Sequence, residues 1–406
     1  MPLSLALHLD DAHAERRAGQ PVVIAGAFGA LILLTVVLGL AVDGRQAALT
    51  VVGAALGIAL YHAAFGFASA YRRLIVERRG AGLRAQQVML AIAAIAFAPL
   101  LDADEPLGRP LSGAIAPLGL SLLAGAFLFG IGMQLAGGCA SGTLYTVGGG
   151  SARMVIVLAA FVIGSYFGTW HLDWWQGLPG LPAVSLYGEF GWAGGLGVQA
   201  VILASLYGAS ILIERRRHGT LEPAALPIAA PMTRLIRGPW PLLWGAFALA
   251  TLNITTLLIA GRPWGITSAF ALWGAKLADF AGADPGRFAY WQGPGASAAL
   301  ERGLEYDVTS VMNAGIVIGA LIAAGLAGCF APHLGITSRS AFAALIGGLM
   351  LGYGARLAYG CNIGAFFSGV ASGSLHGWVW LLAALGGTAL GVRLRPPFGL
   401  ANEAAR

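Results

Sequence analysis

Apolar runs close to 20 residues long recur along almost the whole chain, and this recurrence constrains the fold more than any other feature. About 20 residues are what a helix needs to cross the hydrocarbon core of a bilayer. A transmembrane barrel would instead show strands of roughly ten residues with alternating polarity. The runs fall at about 21–42, 47–64, 86–101, 116–133, 152–170, 196–213, 239–260, 310–330, 340–358 and 375–393. Only 10% of the residues are charged, too few to cover a water-facing surface, since a soluble domain carries about 25%. The expected fold is therefore an all-α polytopic membrane protein with about 9–10 transmembrane helices. The run at 21–42 is longer than the apolar region of a secretory signal and reads as an uncleaved first span.

Four segments are too short or too polar to be spans: 65–75, 134–149, 264–276 and 359–370. Each follows a full span and is rich in Gly, Ser, Thr and aromatics. Irregular backbone at membrane depth is tolerated only where protein or a wet cavity satisfies its polar groups. These four are expected to be re-entrant.

The net charge of +6 is almost all arginine, Lys276 being the one lysine. The arginines cluster at Arg72, Arg73, Arg78, Arg79 and Arg84, at Arg215, Arg216, Arg217, Arg234 and Arg237, and at Arg393 and Arg395. Acidic residues collect in alternate loops: Asp102, Asp104 and Glu105, then Asp279, Asp284, Glu301, Glu305 and Asp307. By the positive-inside rule the arginine clusters, and with them both termini, face the cytoplasm. The basic balance thus reflects topology beside a lipid bilayer, and no nucleic-acid partner is expected. Glu214-Arg-Arg-Arg217 reads as a topology anchor, and Trp170, Trp174, Trp175 and Trp192 as an interfacial belt. The proline-bearing stretch 214–238, with Pro223, Pro227 and Pro231, separates two halves. The chain divides into a first segment and span (1–46), a first half (47–213), a cytoplasmic linker (214–238), a second half (239–395) and a tail (396–406).

The halves share a motif. Gly130-Ile-Gly-Met-Gln-Leu-Ala-Gly-Gly-Cys139-Ala-Ser-Gly142 aligns without a gap on Gly352-Tyr-Gly-Ala-Arg-Leu-Ala-Tyr-Gly-Cys361-Asn-Ile-Gly364. A looser pair, Phe65-Gly-Phe-Ala-Ser-Ala-Tyr71 and Trp264-Gly-Ile-Thr-Ser-Ala-Phe270, precedes it in each half. Five crossings separate the equivalent second and seventh spans, so the halves have opposite topology. The Cys139 loop then enters from the cytoplasm and the Cys361 loop from outside. Inverted repeats with broken helices place substrate sites where the repeats meet.

Gly138 and Gly142 frame Cys139 as Gly360 and Gly364 frame Cys361, which permits tight turns and close approach of a solute. A short helix starting after each cysteine would aim its positive end at the bilayer centre and favour an anion. In apolar surroundings each cysteine stays a thiol, a weak, soft donor that contacts a sulfur anion without trapping it. The alternative is that both are small buried residues in a helix-packing motif. Gln134 and Arg356 occupy matched positions five residues before the cysteines; Arg356 either attracts the anion or braces a loop. Thr267 and Ser268 either donate to oxyanion oxygens or satisfy backbone carbonyls. Gly66 and Gly265 mark the matched turns of the other pair.

These segments, with Pro263-Trp-Gly-Ile-Thr-Ser-Ala-Phe270, resemble the YeeE/YedE family of bacterial membrane proteins over roughly 50–170 and 260–393. The resemblance implies an inverted-repeat hourglass in the bacterial inner membrane that imports thiosulfate, with selenium-linked relatives. It also implies that Cys139 and Cys361 relay the anion by thiol hydrogen bonds, and it suggests a cytoplasmic sulfur-carrier protein as partner. The family's thiosulfate carriers usually place a third cysteine in a Gly-Phe-Cys motif, where this chain has Gly66-Phe67-Ala68. Cys329 lies near the end of a span without such a frame and reads as structural.

Other readings remain open at this point: a transporter of a selenium species or another small solute, a membrane sulfurtransferase, or a non-transporting assembly subunit. A sulfurtransferase needs a base beside its cysteine, and neither motif contains His or an acid. The chain is therefore read as no enzyme. His62, His171, His333 and His376 are scattered and the cysteines unpaired in spacing, so no metal or other cofactor is expected.

Overall fold

A computed structural model describes residues 18–103, 105–106, 108–222, 231–332 and 335–402. Asp104, Pro223, Pro227 and His333 lie outside these, as do both extreme ends. Among the described residues, ten helices are long and apolar enough to cross a membrane, and they match the ten runs in order. The protein is an all-α polytopic membrane protein.

The first half contains α1 (Pro21–Ala41), α2 (Gly44–His62), the short α3 (Phe67–Val76), α4 (Ala81–Asp102), α5 (Leu120–Ala136), the short α6 (Ala140–Gly148), α7 (Ala152–Gln176) and α8 (Leu186–His218). A small helix, α9 (Pro231–Arg237), leads into α10 (Leu242–Ala260) and the short α11 (Thr267–Phe280). Two small helices, α12 (Ala289–Gln292) and α13 (Pro294–Glu301), precede α14 (Val308–Leu326) and α15 (Ser338–Leu357). Then a π-helix (Asn362–Phe367) continues into α16 (Ser368–Ala371), and α17 (Leu375–Leu394) closes the order. Two strands of two residues, β1 (Leu118–Gly119) and β2 (Gly180–Leu181), pair antiparallel with Leu118 opposite Leu181.

From α2 to α7 and from α10 to α17 the sequence of elements is the same: long, short, long, long, short, long, with α12 and α13 as an addition to the second set. Packing follows the same rule with the halves exchanged. α2 lies on α14 as α4 lies on α10, and α5 lies on α17 as α7 lies on α15. α5 also packs on α15, its own counterpart.

Small residues make these crossings close. Gly53 and Gly57 of α2 face the carbonyl oxygens of Met312 and Ile316, while Gly315 and Gly319 of α14 face those of Thr50 and Ala54. The members of each pair are four positions apart, which puts both glycines on one helical face and lets the backbones touch. The opening glycines of the cysteine motif serve the same end. Gly130 meets Ala384 of α17 and Gly352 meets Phe161 of α7, while Gly132 and Gly354 line the α5–α15 contact. α1 and α8 stand at the periphery, and their outward side chains, such as Ile32, Leu33 and Val201, are exposed apolar surface suited to lipid.

Three differences from the sequence reading have physical causes. The run read as 196–213 is part of a 33-residue helix kinked at Gly191, whose φ of 68° with ψ of 163° suits glycine alone. That helix also continues through the Arg215–Arg217 cluster, because the charged turn is held by Glu214. The fully buried Glu214 carboxylate accepts from Arg79, from Arg84 and from the backbone N–H groups of Gly80 and Glu222. It pins the end of α8 to the α3–α4 turn. Lastly, the acidic loop after α11 holds α12 and α13, helices too short to give a periodic signal.

Candidate functional site

All four segments expected to be re-entrant form short helices: α3, α6, α11 and the π-helix with α16. Among them α6 touches the π-helix, Asn362 of the π-helix reaches Tyr71 of α3, and Gly364 neighbours Gly265 just before α11. Cys139 and Cys361 stand immediately before α6 and the π-helix, 1% and 0% exposed. Each has extended backbone and acts as the residue from which its helix starts. The Cys139 Sγ lies 3.3 Å from Ser141 Oγ, and the Cys361 Sγ accepts the backbone N–H of Ile363 at 3.4 Å.

The motif glycines explain the turns. Gly137 ends α5 in the left-handed region at φ 85°, and Gly360 takes φ 148° before Cys361. A methyl on Gly142 would approach the Cys139 sulfur to 3.7 Å, and one on Gly364 would approach Gly265 Cα to 4.0 Å. Gly138 packs over Gly142. The Cys361 loop and the Gly265 turn are therefore neighbours, which brings the second half's two motif segments together.

The other candidates fall in different places. Gly66 starts α3, and its carbonyl accepts from Ser69 Oγ and Ala70 N. Gln134, fully buried, donates from Nε2 to the Ala68 carbonyl at 3.0 Å. It thus holds the Gly66-Phe67-Ala68 stretch at the start of α3. Arg356 occupies the matched position, and its contacts lie elsewhere. It donates to Tyr290 Oη at 2.6 Å and stacks over that ring, with its stem against Gly168. These contacts tie the end of α15 to α12. Thr267 is buried at the start of α11, and Ser268 Oγ donates to Thr309 Oγ1 at 3.1 Å. Cys329 lies beyond the end of α14, where its Sγ approaches the Ala327 carbonyl.

Several residues of the site were not singled out from sequence. Asn253 of α10 accepts the Trp264 N–H at 2.8 Å and donates to Ser368 Oγ at 3.3 Å. Ser368 in turn donates to the Trp264 carbonyl at 2.7 Å, closing a three-residue clamp. Asn313 of α14 donates to the Ile266 carbonyl, and Asn362 donates to Tyr71 Oη. The signal that could have found them is an amide inside an apolar span, where an unsatisfied polar group is costly.

Near Cys139, two arginines meet the carbonyls at the end of α5. Arg153 donates to the Leu135 and Ala136 carbonyls, and Arg395 to that of Gln134 at 2.6 Å. Cations suit the negative end of a helix. Burial, with Arg72 and Arg153 nearby, pulls Arg395 down to about 9.

A family model described as sulphur transport matches residues 62–390. A protein named thiosulfate transporter TsuA, from Spirochaeta thermophila, is 28% identical over 341 residues, covering 81% of this chain and 92% of the relative. A protein named probable transporter YedE, from Escherichia coli, is 30% identical over 154 residues, or 38% of this chain and 37% of the relative. Its Salmonella typhimurium namesake is 31% identical over 144 residues, 33% of each chain.

Proposed function

The chain belongs to the sulphur transport family, and on that premise we propose that it is a permease importing thiosulfate or a related sulfur anion past Cys139 and Cys361. The observation that carries this reading is the pair of buried thiols, each at the start of a short helix, with those two helices in contact. Helix starts present free N–H groups that favour negative charge. A thiol adds a weak donor, so an anion is held at each stop without becoming fixed. Two such stops, approached from opposite faces, make a relay. In this reading 47–213 and 239–395 are inverted halves, the termini and the arginine clusters are cytoplasmic, and the membrane is the bacterial inner one. Thiosulfate heads the substrates because a relative matched over most of its length is named for it. A selenium analogue is the second candidate, since Ala68 stands where a family cysteine is expected. A cytoplasmic sulfur-carrier protein is the partner that such import calls for.

The thiol contacts favour passage over chemistry. Among the described residues Cys139 Sγ meets Ser141 and Cys361 Sγ meets Ile363 N–H, and neither meets a base. Uptake of radiolabelled thiosulfate into proteoliposomes tests the reading, with sulfite, sulfate, selenite and selenosulfate as competitors. Uptake undiminished by Cys139→Ala and Cys361→Ala would overturn the relay. Persulfide formed on the purified chain by a sulfur donor would favour an enzyme instead.

A further inference from the structure

A cleft of about 210 Å³ lies between the end of α13 and the start of α14, lined by Arg262, Arg302, Gly303, Tyr306 and Asp307 among others. A single water needs roughly 10–15 Å³ of such space, so a small oxyanion fits with part of its hydration shell. The lining carries two guanidinium groups and the Asp307 carboxylate, and the Glu305 carboxylate lies against Gly303 at its edge. The Asp307 carboxylate is engaged: its Oδ2 accepts both the backbone N–H and the hydroxyl of Ser310 at the start of α14. Among the described residues, neither Arg262 nor Arg302 forms an ion pair. The two arginines come from segments separated by α11, α12 and α13, and only the fold brings them to one cleft.

The cleft also has an inward connection. Arg262 Nη2 donates to Thr309 Oγ1 at 3.1 Å, and Ser268 Oγ donates to the same oxygen at 3.1 Å. Thr309 is 2% exposed. With its oxygen accepting twice, its own proton has no acceptor among the described residues. Ser268 lies in the first turn of α11, three residues after Gly265, the neighbour of Gly364 in the Cys361 loop. A guanidinium and two hydroxyls thus run from the cleft towards the second cysteine. The first half has no equivalent, because only residues 77–80 join α3 to α4 where α12 and α13 join α11 to α14.

We propose that this cleft is an anion-binding antechamber, in which Arg262 and Arg302 capture a small divalent sulfur oxyanion before it reaches Cys361. Planar guanidinium groups match two oxygens of such an anion at once. The Thr309–Ser268 hydroxyl pair, with one proton shared between them, supplies the next donor inward. The inference rests on the transport reading for its direction, whereas anion binding in the cleft does not require transport.

Two measurements on the full chain separate these. In nanodiscs of phosphatidylcholine, which bring no anionic lipid to compete, equilibrium binding of radiolabelled thiosulfate is compared between the unaltered chain, Arg302→Gln, Arg262→Gln and Arg302→Lys. Each Gln variant is expected to weaken binding roughly fivefold, the ceiling for one solvent-exposed charge contact, with Arg302→Lys between. In proteoliposomes the same variants raise KM by a similar factor, whereas Cys361→Ala lowers the maximal rate. If the unaltered chain shows no uptake, the transport reading fails and the binding comparison still decides the cleft. No thiosulfate binding by the unaltered chain, or binding and KM unmoved in both Gln variants, overturns the antechamber.

Discussion

Two residues before Cys139 stands Gly137, and two before Cys361 stands Tyr359; both take the left-handed backbone, at φ 85° and φ 59°. The first is free of strain, and the second carries the roughly 1–2 kcal/mol that a side chain meets in that region. After the cysteine the loops diverge again. Cys139 leads into nine residues of ordinary α-helix, and Cys361 into a π-helix. The strained loop is also the more tethered one, held by the Asn253–Trp264–Ser368 clamp and by Asn362 on Tyr71. The Cys139 side is held by arginines: Arg153, second residue of α7, caps α5, whereas the second residue of α17 is His376, bonded to Ser374. The two loops share the backbone path and the position of the thiol. What anchors each loop differs, from cations on carbonyls on one side to neutral amides and hydroxyls on the other.

The comparison can be broken most directly at the thiols. If both are stops on one relay, Cys139→Ala and Cys361→Ala each lower thiosulfate uptake about 10- to 100-fold, the loss expected for one hydrogen bond to a charged partner. A large loss from one variant and none from the other would make the repeat a scaffold with a single working stop. Next in size is the packing that both halves share. Gly319→Leu drives a side chain into the Ala54 carbonyl of α2, and overpacking of this kind costs about 1–3 kcal/mol. A matching drop in melting temperature in detergent is expected. The clamps sharpen the contrast. Asn253→Leu leaves the Trp264 N–H without its acceptor, a loss of about 1–3 kcal/mol, and uptake should fall with little change in the α5 side of the molecule. Gln134→Leu frees one carbonyl, that of Ala68, and should cost less. The smallest expected effect is at Gly137. Gly137→Ala adds left-handed strain of about 1–2 kcal/mol, bringing the first loop to the condition Tyr359 already imposes on the second, and its melting temperature should fall by a few degrees at most.

Much of the fold is legible in the sequence because hydropathy is a property of consecutive residues. The ten runs and the four short segments each correspond to a helix. The path of α8 is less legible, since its kink at Gly191 and its charged end on Glu214 depend on what lies beside it. In the site, the cysteine frame is readable as a repeat, and the structure adds that its opening glycines, Gly130 and Gly352, are crossing points for α17 and α7. Arg356 illustrates the opposite case. Its position in the repeat suggests kinship with Gln134, yet it reaches out to Tyr290 on α12, an element that the first half lacks. A match in register fixes where a side chain starts, not what surrounds its end.

The opening regularity, apolar runs of bilayer length, together with a duplicated cysteine motif, is what the sequence alone determined: a helical membrane protein in two related halves. Both follow from local rules, because a backbone in lipid must satisfy its own hydrogen bonds within each span. Only the tertiary structure decided that α6 and the π-helix touch, and that Asn253 and Asn313 hold the second half's turns. It alone brought Arg262 and Arg302 to one cleft. Those contacts join residues tens to hundreds of positions apart, and their partners are chosen by which helix faces pack together, a choice that no single segment encodes.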